Sequence, residues 1–401
     1  MATTSSEETN QTCPTTGSPR TDGEQQVRIF RLAKRAGRNV LAVGGELKAA
    51  VCFYSGGEAA LSEPMGDLTT PANYRRFVAA IEEMKQRWSF RPEVIAHDLH
   101  PRYLSTQYAL ATGIPAIAVQ HHHAHLVSVM AEWRMDKPVV GVCCDGVGFG
   151  SDGAAWGCEV LKCETGGFER AGHLEYFPLL GGDAAAIEPC RPAAALLHQA
   201  FGSEWRRHFP VAFAELPEGD LEVFDRLLTT GANCPMTSSL GRVFDGVSFL
   251  LRLCRRNERE AQAAIALESA AQGNSAEPYP YATTAENGAI RMSMAPVIRA
   301  IVQDMAGAPD TGTISARFHE TIARMLAATA EIVCEKNGIN TVALSGGCFA
   351  NKRLLARVTE RLERRHLRVL VPRLVSCGDA GLALGQAVAA AAMYERAGAC
   401  V

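Results

Sequence analysis

The chain has 401 residues, of which 47% are hydrophobic and 21% are charged. A chain of this length exceeds what one compact core usually accommodates, so we expect two domains or lobes. The formal net charge of -3 provides no bulk cationic field, and we therefore expect no nucleic acid among its partners. The sequence has no run of about eighteen apolar residues, so we expect no membrane-spanning helix.

The cysteines and the N-terminal segment indicate the same cellular environment. Thirteen cysteines are scattered along the chain, and no two have the C-x-x-C spacing of zinc fingers or thioredoxin-like motifs. Residues 1–26 are rich in Ser, Thr and Glu, resemble no secretory leader, and have too few apolar side chains to offset the entropy lost on ordering. We therefore predict a disordered tail, a cytoplasmic location and reduced thiols that act as small core residues.

The apolar pattern of the remaining sequence alternates between strand-like and helix-like segments. Short apolar runs bounded by glycine predict buried strands, and apolar residues at helical spacing among charges predict amphipathic helices. In chain order, the predicted strands are 39–43, 49–54, 94–97, 116–119, 138–144, 154–161, 168–174, 341–344 and 369–371, and the predicted helices are 74–88, 103–112, 121–133, 352–364 and 380–394.

One strand–turn–strand pattern occurs twice, around the glycine turn 44–48 and the glycine-rich turn 145–150. Two such units, each followed by helices and buried strands, predict an α/β fold of two similar lobes that face each other across a cleft. We place the first lobe at 27–136 and the second at 137–401. The second lobe would include a largely helical insertion at about 184–312, a Pro- and Thr-rich surface loop at 277–288, and a C-terminal helix.

Positions 121, 122, 123 and 125 are all histidine. Because residues four apart share one helical face, His121 and His125 can converge on one point, whereas His122 and His123 diverge. Imidazole pairs at this spacing are common ligands of first-row divalent metals. The alternatives are a solvated histidine-rich surface or a histidine that caps the helix, and the density of histidines favours a metal site.

Two acidic residues stand where further metal ligands are expected. Asp145 ends a buried strand at a glycine-rich turn, and Asp379 lies in a similar turn after the last predicted strand. An acid at the carboxyl end of such a strand points into the crevice where α/β proteins bind ligands. Two neutral imidazoles and two carboxylates would balance a divalent cation. The alternative for each aspartate alone is a turn-forming residue.

Three glycine-rich turns, at 145–150, 181–183 and 345–351, could hold a phosphate or nucleotide through backbone N–H groups. The turn at 345–351 precedes a helix, whose N-terminus favours an anion. Glycine alone is weak evidence, because turns need it anyway. The sequence lacks GxxxxGK[ST] and GxSxG, which argues against P-loop NTPases and α/β-hydrolases.

Two other segments leave their interpretation open. In 237–245, Asp245 could accept hydrogen bonds from ribose hydroxyls, but Ser238 or Ser239 is equally explained as a helix cap. Cys348, on the turn at 345–351, is interpreted as a small filler rather than a nucleophile, because no paired histidine is identifiable.

Taken together, these motifs resemble the C-terminal carbamoyltransferase region of HypF hydrogenase maturation proteins. They are more distantly similar to tRNA threonylcarbamoyl-transferases and antibiotic O-carbamoyltransferases. The resemblance extends from residue 28 nearly to the end and implies the actin-like (ASKHA) duplicated two-lobed fold. The matching stretches are 42–48, 66–68, 98–106, 120–125, 145–150, 181–183, 188–191, 237–245, 262–264, 318–322, 345–347 and 378–379.

The resemblance also implies roles for individual residues. Lys48 is expected to be the cation that meets a phosphate or carbonyl oxygen, the alternative being a solvated turn lysine. The implied catalytic residues are Lys48, His121 and His125. The implied metal ligands are His121, His125, Asp145 and Asp379, in agreement with the spacing argument. The residues expected to hold the nucleotide are Gly146, Gly148, Gly241, Asp245, Gly346, Gly347 and Asn351.

The function implied by the resemblance is carbamoyl transfer that depends on Fe²⁺ or Zn²⁺. The donor would be carbamoyl-adenylate, an ATP-derived nucleotide, and the acceptor the C-terminal cysteine of a HypE-like protein, in the synthesis of the cyanide ligands of nickel–iron hydrogenase. HypF proteins normally carry an upstream YrdC-like module that makes carbamoyl-adenylate. Here only a polar tail precedes the matching region, so we expect the transfer step alone and a separate YrdC-like partner.

Three alternatives remain open at this stage. An O-carbamoyltransferase would keep the chemistry and use a small-molecule hydroxyl as the acceptor. A non-catalytic nucleotide-binding scaffold would have no need for four converging metal ligands. An actin-like sugar kinase or chaperone-type ATPase would fit the lobes but leave the histidine cluster unexplained.

Overall fold

The computed structural model describes residues 26–208, 210–273, 277–307 and 310–399. The tail predicted at 1–26 lies outside the described residues apart from Gln26. The cysteines in the described part of the chain are all free thiols, as predicted. Among the described helices, none is both long and apolar enough to cross a bilayer.

The described residues form strands and helices in alternation. The strands are β1 (Val27–Ala42), β2 (Cys52–Ser62), β3 (Val94–Asp98), β4 (Ala116–Val119), β5 (Val139–Phe149), β6 (Ala155–Glu164), β7 (Gly167–Leu174), β8 (Phe177–Pro178), β9 (Met236–Thr237), β10 (Ala282–Glu286), β11 (Ala289–Ser293), β12 (Thr341–Ser345) and β13 (Arg368–Leu370). The helices are α1 (Pro71–Arg87), α2 (Leu104–Ala111), α3 (His121–Glu132), α4 (Ala184–Ile187), α5 (Cys190–Phe201), α6 (Trp205–His208), α7 (Pro210–Phe213), α8 (Glu218–Thr230), α9 (Leu240–Leu250), α10 (Gln262–Ala270), α11 (Ala295–Ala306), α12 (Thr311–Asn337), α13 (Lys352–Glu363) and α14 (Leu382–Ala399).

The two sheets repeat one strand order. In the first sheet the order is β2–β1–β3–β4, in which β1 and β2 are antiparallel and β3 and β4 continue in parallel. In the second sheet β6–β5–β12–β13 has the same order and the same directions. Strands β7, β11 and β10 extend this sheet beyond β6. The repeat is the duplicated α/β architecture that the two strand–turn–strand units predicted.

Two local predictions were wrong. The stretch 145–150 is not a turn, because β5 continues through it to Phe149 and only shifts its register against β6 between Cys144 and Gly148. The stretch 277–288 is not simply a loop, because its Thr-containing segment forms β10 at the exposed edge of the second sheet. Asn287 and Gly288 both have positive φ and close a tight hairpin to β11, a turn for which Asn-Gly is the preferred dipeptide.

The alternation of side chains along the strands assigns each face of a sheet to a different layer. In β1, Leu41 packs into the cluster that includes α1, whereas Val40 and Ala42 pack toward α3 and α14. In β5, Val140 and Val142 belong to the core of the second lobe, whereas Val139 and Cys143 join the cluster around α3 and α14. The two helices therefore form a shared layer between the sheets.

The C-terminal helix α14 returns to the first sheet, where it packs on β1, β2 and α3. The lobe boundary predicted between residues 136 and 137 falls between α3 and β5, and it stays a prediction. The insertion predicted at about 184–312 corresponds to the segment that carries α4 to α11 and the small strands β9 to β11, and its limits likewise stay a prediction.

Helices α3 and α14 cross at a glycine. A Cβ atom added to Gly385 would lie 1.8 Å from the carbonyl oxygen of Ala124. No side chain fits at that distance, so the close approach of the two helices depends on the absence of one. This crossing fixes the position of α3, whose first two turns carry the histidine cluster.

We expect Gly385→Ala to destabilise the protein by about 1–3 kcal/mol, because overpacking at the crossing outweighs the gain of about 1 kcal/mol in helix propensity. The matched control is Gly398→Ala on the same helix, since nothing lies within 4 Å of a Cβ added at Gly398. Urea unfolding followed by circular dichroism measures both. Equal stability of the two variants would contradict the role assigned to the crossing.

Candidate metal and nucleotide site

The histidine cluster lies in the first two turns of α3. Gln120 caps the helix, and its side-chain oxygen accepts a hydrogen bond from the N–H of His123 at 2.9 Å. The rings of His121 and His125 lie 4.9 Å apart, and both side chains are buried. His122 and His123 are also buried but face elsewhere: the Nε2 of His123 contacts the carbonyl oxygen of Glu164 at 2.7 Å. The alternative of a solvated histidine-rich surface is therefore wrong.

Two carboxylates from the second lobe meet the two imidazoles. Asp145 lies in β5 and places its Oδ2 3.3 Å from the Nε2 of His121 and 3.4 Å from the Nε2 of His125. Asp379 follows β13 and places its Oδ1 3.7 Å and 3.5 Å from the same two nitrogens. The candidate ligand atoms of all four residues lie within 4.8 Å of one another. The structure thus brings together the four residues that the sequence nominated.

The imidazoles and carboxylates of the cluster shift the pKa values of one another. Burial lowers the pKa of each imidazole, but the surrounding carboxylates outweigh it and raise the pKa of His121 well above, and that of His125 above, the ordinary value. Burial raises the pKa of each carboxyl, but the imidazoles lower the pKa of Asp145 well below its usual range and that of Asp379 to about 2. The pocket therefore favours a positive charge between two ionised carboxylates. A bound divalent cation would also provide that charge.

A third carboxylate orients the ring of His121 through its other nitrogen, Nδ1. Asp98, at the end of β3, is fully buried, and its Oδ2 lies 2.7 Å from the Nδ1 of His121. Its Oδ1 accepts the N–H of His100 at 2.8 Å. With Nδ1 protonated and bound to Asp98, the lone pair of Nε2 is directed at the pocket, as is common for histidines that bind metals. Sequence reasoning missed this role, although Asp98 directly follows the predicted strand 94–97.

The loop after β12 fastens Asp145. The N–H of Gly347 donates a hydrogen bond to Asp145 Oδ1 at 2.9 Å, which leaves Oδ2 directed at the histidines. Gly346 has a φ of 98° and lies so close to β5 that an added Cβ would be 2.2 Å from the carbonyl oxygen of Cys144. Cys348 in the same loop has a thiol whose pKa is raised well above its usual range by burial, so it is not poised as a thiolate.

A cavity of about 480 Å³ opens beside the two aspartates. Of the residues expected to hold a nucleotide, those that line it are Gly146, Gly241, Asp245, Gly347 and Asn351, and Lys48 lines it as well. Gly148 and Gly346 are not among its lining residues. Gly148 instead packs against the histidines, because an added Cβ would lie 2.7 Å from the His121 ring.

The polar side chains of the cavity differ in whether they already have hydrogen-bond partners within the protein. Asp245 on α9 is buried, and burial raises the pKa of its carboxyl. Arg242 lies 2.8 Å from its Oδ2, yet neither oxygen has a partner of hydrogen-bonding geometry among the described residues. Asn351 is already engaged, because its Oδ1 caps α13 at the N–H of Leu354 and its Nδ2 contacts His319.

Lys48 spans the mouth of the cavity. It follows the first glycine turn with a φ of 48°, and its Nζ lies 2.7 Å from the Oε1 of Glu260, which belongs to the second lobe. Burial lowers the pKa of Lys48, but Glu260 and the two aspartates of the cluster outweigh it and raise the pKa above the ordinary value. The side chain is thus a positively charged contact between the lobes at the rim of the cavity.

Two protein-family models match the chain, one in the region of each sheet. The model described as "Carbamoyltransferase, Kae1-like Domain, second subdomain" matches residues 141–386, and the model described as "HypF Kae1-like domain" matches residues 35–132. Each matched range covers most of one of the two sheet repeats.

Individual relatives agree with these matches. The chain is 41% identical to a carbamoyltransferase HypF homolog of Cupriavidus necator, over 88% of this chain and 91% of that protein. It is 35% identical to carbamoyltransferase HypF of Synechocystis sp., over 89% of this chain and 48% of that protein. The chain thus spans about nine-tenths of the first relative but only about half of the second.

A solved structure provides the corresponding comparison of folds. The crystal structure of full-length HypF in the phosphate- and nucleotide-bound form superimposes with a TM-score of 0.88 at 35% identity, over 92% of this chain and 57% of that one. The actin-like two-lobed α/β fold that the motifs implied is confirmed. With family models that match more than half of its length and relatives above 30% identity, the chain belongs to the HypF carbamoyltransferase family, in its Kae1-like region.

Proposed function

We propose that this protein transfers a carbamoyl group from carbamoyl-adenylate to the C-terminal cysteine of a HypE-like protein during the maturation of nickel–iron hydrogenase. The observation that carries the proposal is the convergence of two imidazoles and two carboxylates beside the cavity that Asp245 lines. Membership of a carbamoyltransferase family supplies the type of reaction. The cluster supplies a place where an acyl group could be polarised.

The four clustered residues fit a divalent metal, Fe²⁺ or Zn²⁺. The Nε2 of His125 is buried without a hydrogen-bond partner of good geometry among the described residues, although Asp145 and Asp379 stand within 3.5 Å of it. Such an atom is explained if it is a ligand. His121, His125, Asp145 and Asp379 would hold the ion, and two imidazoles with two carboxylates suit either metal. When bound, the metal would supply Lewis acidity at a carbonyl or phosphate oxygen.

The cavity would hold the adenylate. The oxygens of Asp245 lie beside Arg242 but have no partner of hydrogen-bonding geometry among the described residues, so they would accept hydrogen bonds from ribose hydroxyls. Gly146, Gly241 and Gly347 offer backbone without side chains, which permits close approach of a phosphate. Asn351 would act through its place at the N-terminus of α13 rather than through its amide, because its side chain is already bonded.

The transfer forms one bond and breaks another. The acceptor enters as a thiolate, its proton having passed to solvent, and the sulfur attacks the carbamoyl carbon. The bond between that carbon and the phosphate oxygen then breaks, and AMP leaves with the electron pair. Lys48, at the rim, would meet the negative charge on the leaving phosphate. Positioning and charge stabilisation are the main contributions expected of the protein, because a thiolate is already a good nucleophile.

A direct assay tests the reaction. We expect the purified chain, given preformed carbamoyl-adenylate and a peptide with a HypE-like C-terminal cysteine, to add one carbamoyl group to the thiol, as measured by mass spectrometry. The matched control peptide ends in serine. Carbamoyl phosphate and ATP should give product only when a YrdC-like protein is added. Failure to carbamoylate the cysteine peptide, with the adenylate intact and the protein folded, would refute the proposed acceptor or donor.

Metal binding tests the ligand set separately. We expect the wild-type protein to bind about one equivalent of Zn²⁺ or Fe²⁺, and His125→Ala to lower the affinity by more than the 10–100-fold typical of losing an outer-shell partner. The matched control is His123→Ala, which removes an imidazole from the same helix but outside the cluster. Titration against a chromophoric chelator measures the affinities. Equal affinities of the two variants would refute the ligand set.

Asp98→Asn tests the orientation of His121. An amide cannot accept from both His121 and the N–H of His100, and its NH₂ group would favour the tautomer that places a proton on the Nε2 of His121. We therefore expect metal affinity to fall about 10–100-fold. The control is Asp67→Asn, whose carboxylate accepts hydrogen bonds, among the described residues, from Thr69 in the same turn. An unchanged affinity of Asp98→Asn in the same chelator titration would show that Asp98 does not set the tautomer.

A further inference from the structure

The last residue of α3, Glu132, has an unusual environment for an acid. Its side chain is buried, with the residue only 7% exposed. It also stands at the C-terminus of a helix, where the helix dipole disfavours negative charge. A carboxylate in this place must therefore be held by specific partners.

Those partners are three consecutive backbone amides. The N–H of Leu374 donates to Oε1 at 2.6 Å, that of Arg373 reaches Oε2 at 3.1 Å, and that of Val375 reaches Oε2 at 3.4 Å. Hydrogen bonds from N–H groups to an ionised carboxylate are among the stronger ones in proteins. In the part of the chain that the structure describes, no strand pairs with the segment after β13, so Glu132 supplies the acceptors that a strand would otherwise provide.

The same segment leads directly to Asp379. Only residues 376–378 separate Val375 from it, and the carbonyl oxygen of Cys377 is itself bound by the N–H of Gly346 at 2.9 Å. One end of α3 thus carries the two histidines, and the other end holds the segment that presents Asp379. Glu132 connects them through one rigid helix.

We infer that Glu132 is a positioning residue, which fixes Asp379 relative to His121 and His125 and thereby sets the affinity of the cluster for metal. The inference rests on the proposed metal site. It assigns to Glu132 no contact with substrate or metal. Its effect on metal affinity is exerted entirely through Asp379.

A double-mutant cycle tests this dependence. Glu132→Gln has the same size but replaces one acceptor oxygen by an NH₂ group, so at least one of the three amides loses its partner. With Co²⁺ as the probe, we expect Glu132→Gln to lower affinity about 10–100-fold, and its visible absorption spectrum to shift toward that of Asp379→Ala. In the Asp379→Ala background, we expect Glu132→Gln to have no further effect.

The matched control is Trp133→Phe. Trp133 follows Glu132, and its Nε1 donates to the carbonyl oxygen of Val371 at 2.8 Å, so it fastens the same segment at a point farther from Asp379. We expect this variant to leave Co²⁺ affinity and spectrum unchanged. Hydrogen exchange of the apo-protein gives a readout without metal: the amides of residues 373–375 should exchange faster in Glu132→Gln than in the wild type.

The outcomes separate the inference from the proposed function. If the wild type binds no metal, the metal site fails and the inference fails with it. If the wild type binds Co²⁺ but Glu132→Gln binds equally well, or lowers affinity by the same factor with and without Asp379, the inference alone is overturned. Should Glu132→Gln not fold, Glu132→Asp, which keeps the charge and shortens the reach, takes its place in the cycle.

Discussion

The contact between the imidazoles of α3 and the carboxylates of the second lobe is the constraint on which the rest of the site depends. His121 and His125 belong to the helix that follows the first sheet, whereas Asp145 lies in β5 of the second sheet and Asp379 lies in the segment after β13. Neither lobe holds a complete set. The charges of the cluster therefore oppose separation of the lobes, and any ion bound by all four residues would stabilise their present arrangement by mass action.

The packing around α3 explains how this constraint is met. Helices α3 and α14 share a layer that both sheets contact, and Gly385 permits their close approach. The next residue of α14, Gln386, bonds both the N–H and the carbonyl oxygen of Gly44, in the turn that leads to Lys48. The turn that leads to Lys48 is thus attached to the same helix pair that carries the histidines, so the core holds both parts of the site.

Sequence patterns identified the parts of the site that depend on local periodicity. The spacing of His121 and His125 follows from the helix repeat, and the acids were found because strand ends in α/β folds point to a common crevice. Asp98 and Glu132 were missed, because their roles depend on contacts across 23 and about 241 residues that no local pattern encodes. The same limit applies to the fold. The duplication of the strand–turn–strand unit was predicted, whereas the strand order and the return of α14 to the first sheet were not.

The glycines are the residues whose predicted roles differ most from their contacts in the structure. A glycine-rich stretch predicts either a phosphate cradle or a turn, but Gly148 lies in a strand against the His121 ring, and Gly346 passes under the carbonyl oxygen of Cys144. In both places the missing side chain lets one backbone segment approach a neighbour that carries or orients a ligand residue. Gly347 combines the two uses, since its N–H holds Asp145 while the residue also lines the cavity. The main effect of a side chain at these glycines would therefore be on the imidazole–carboxylate geometry, rather than on a bound nucleotide.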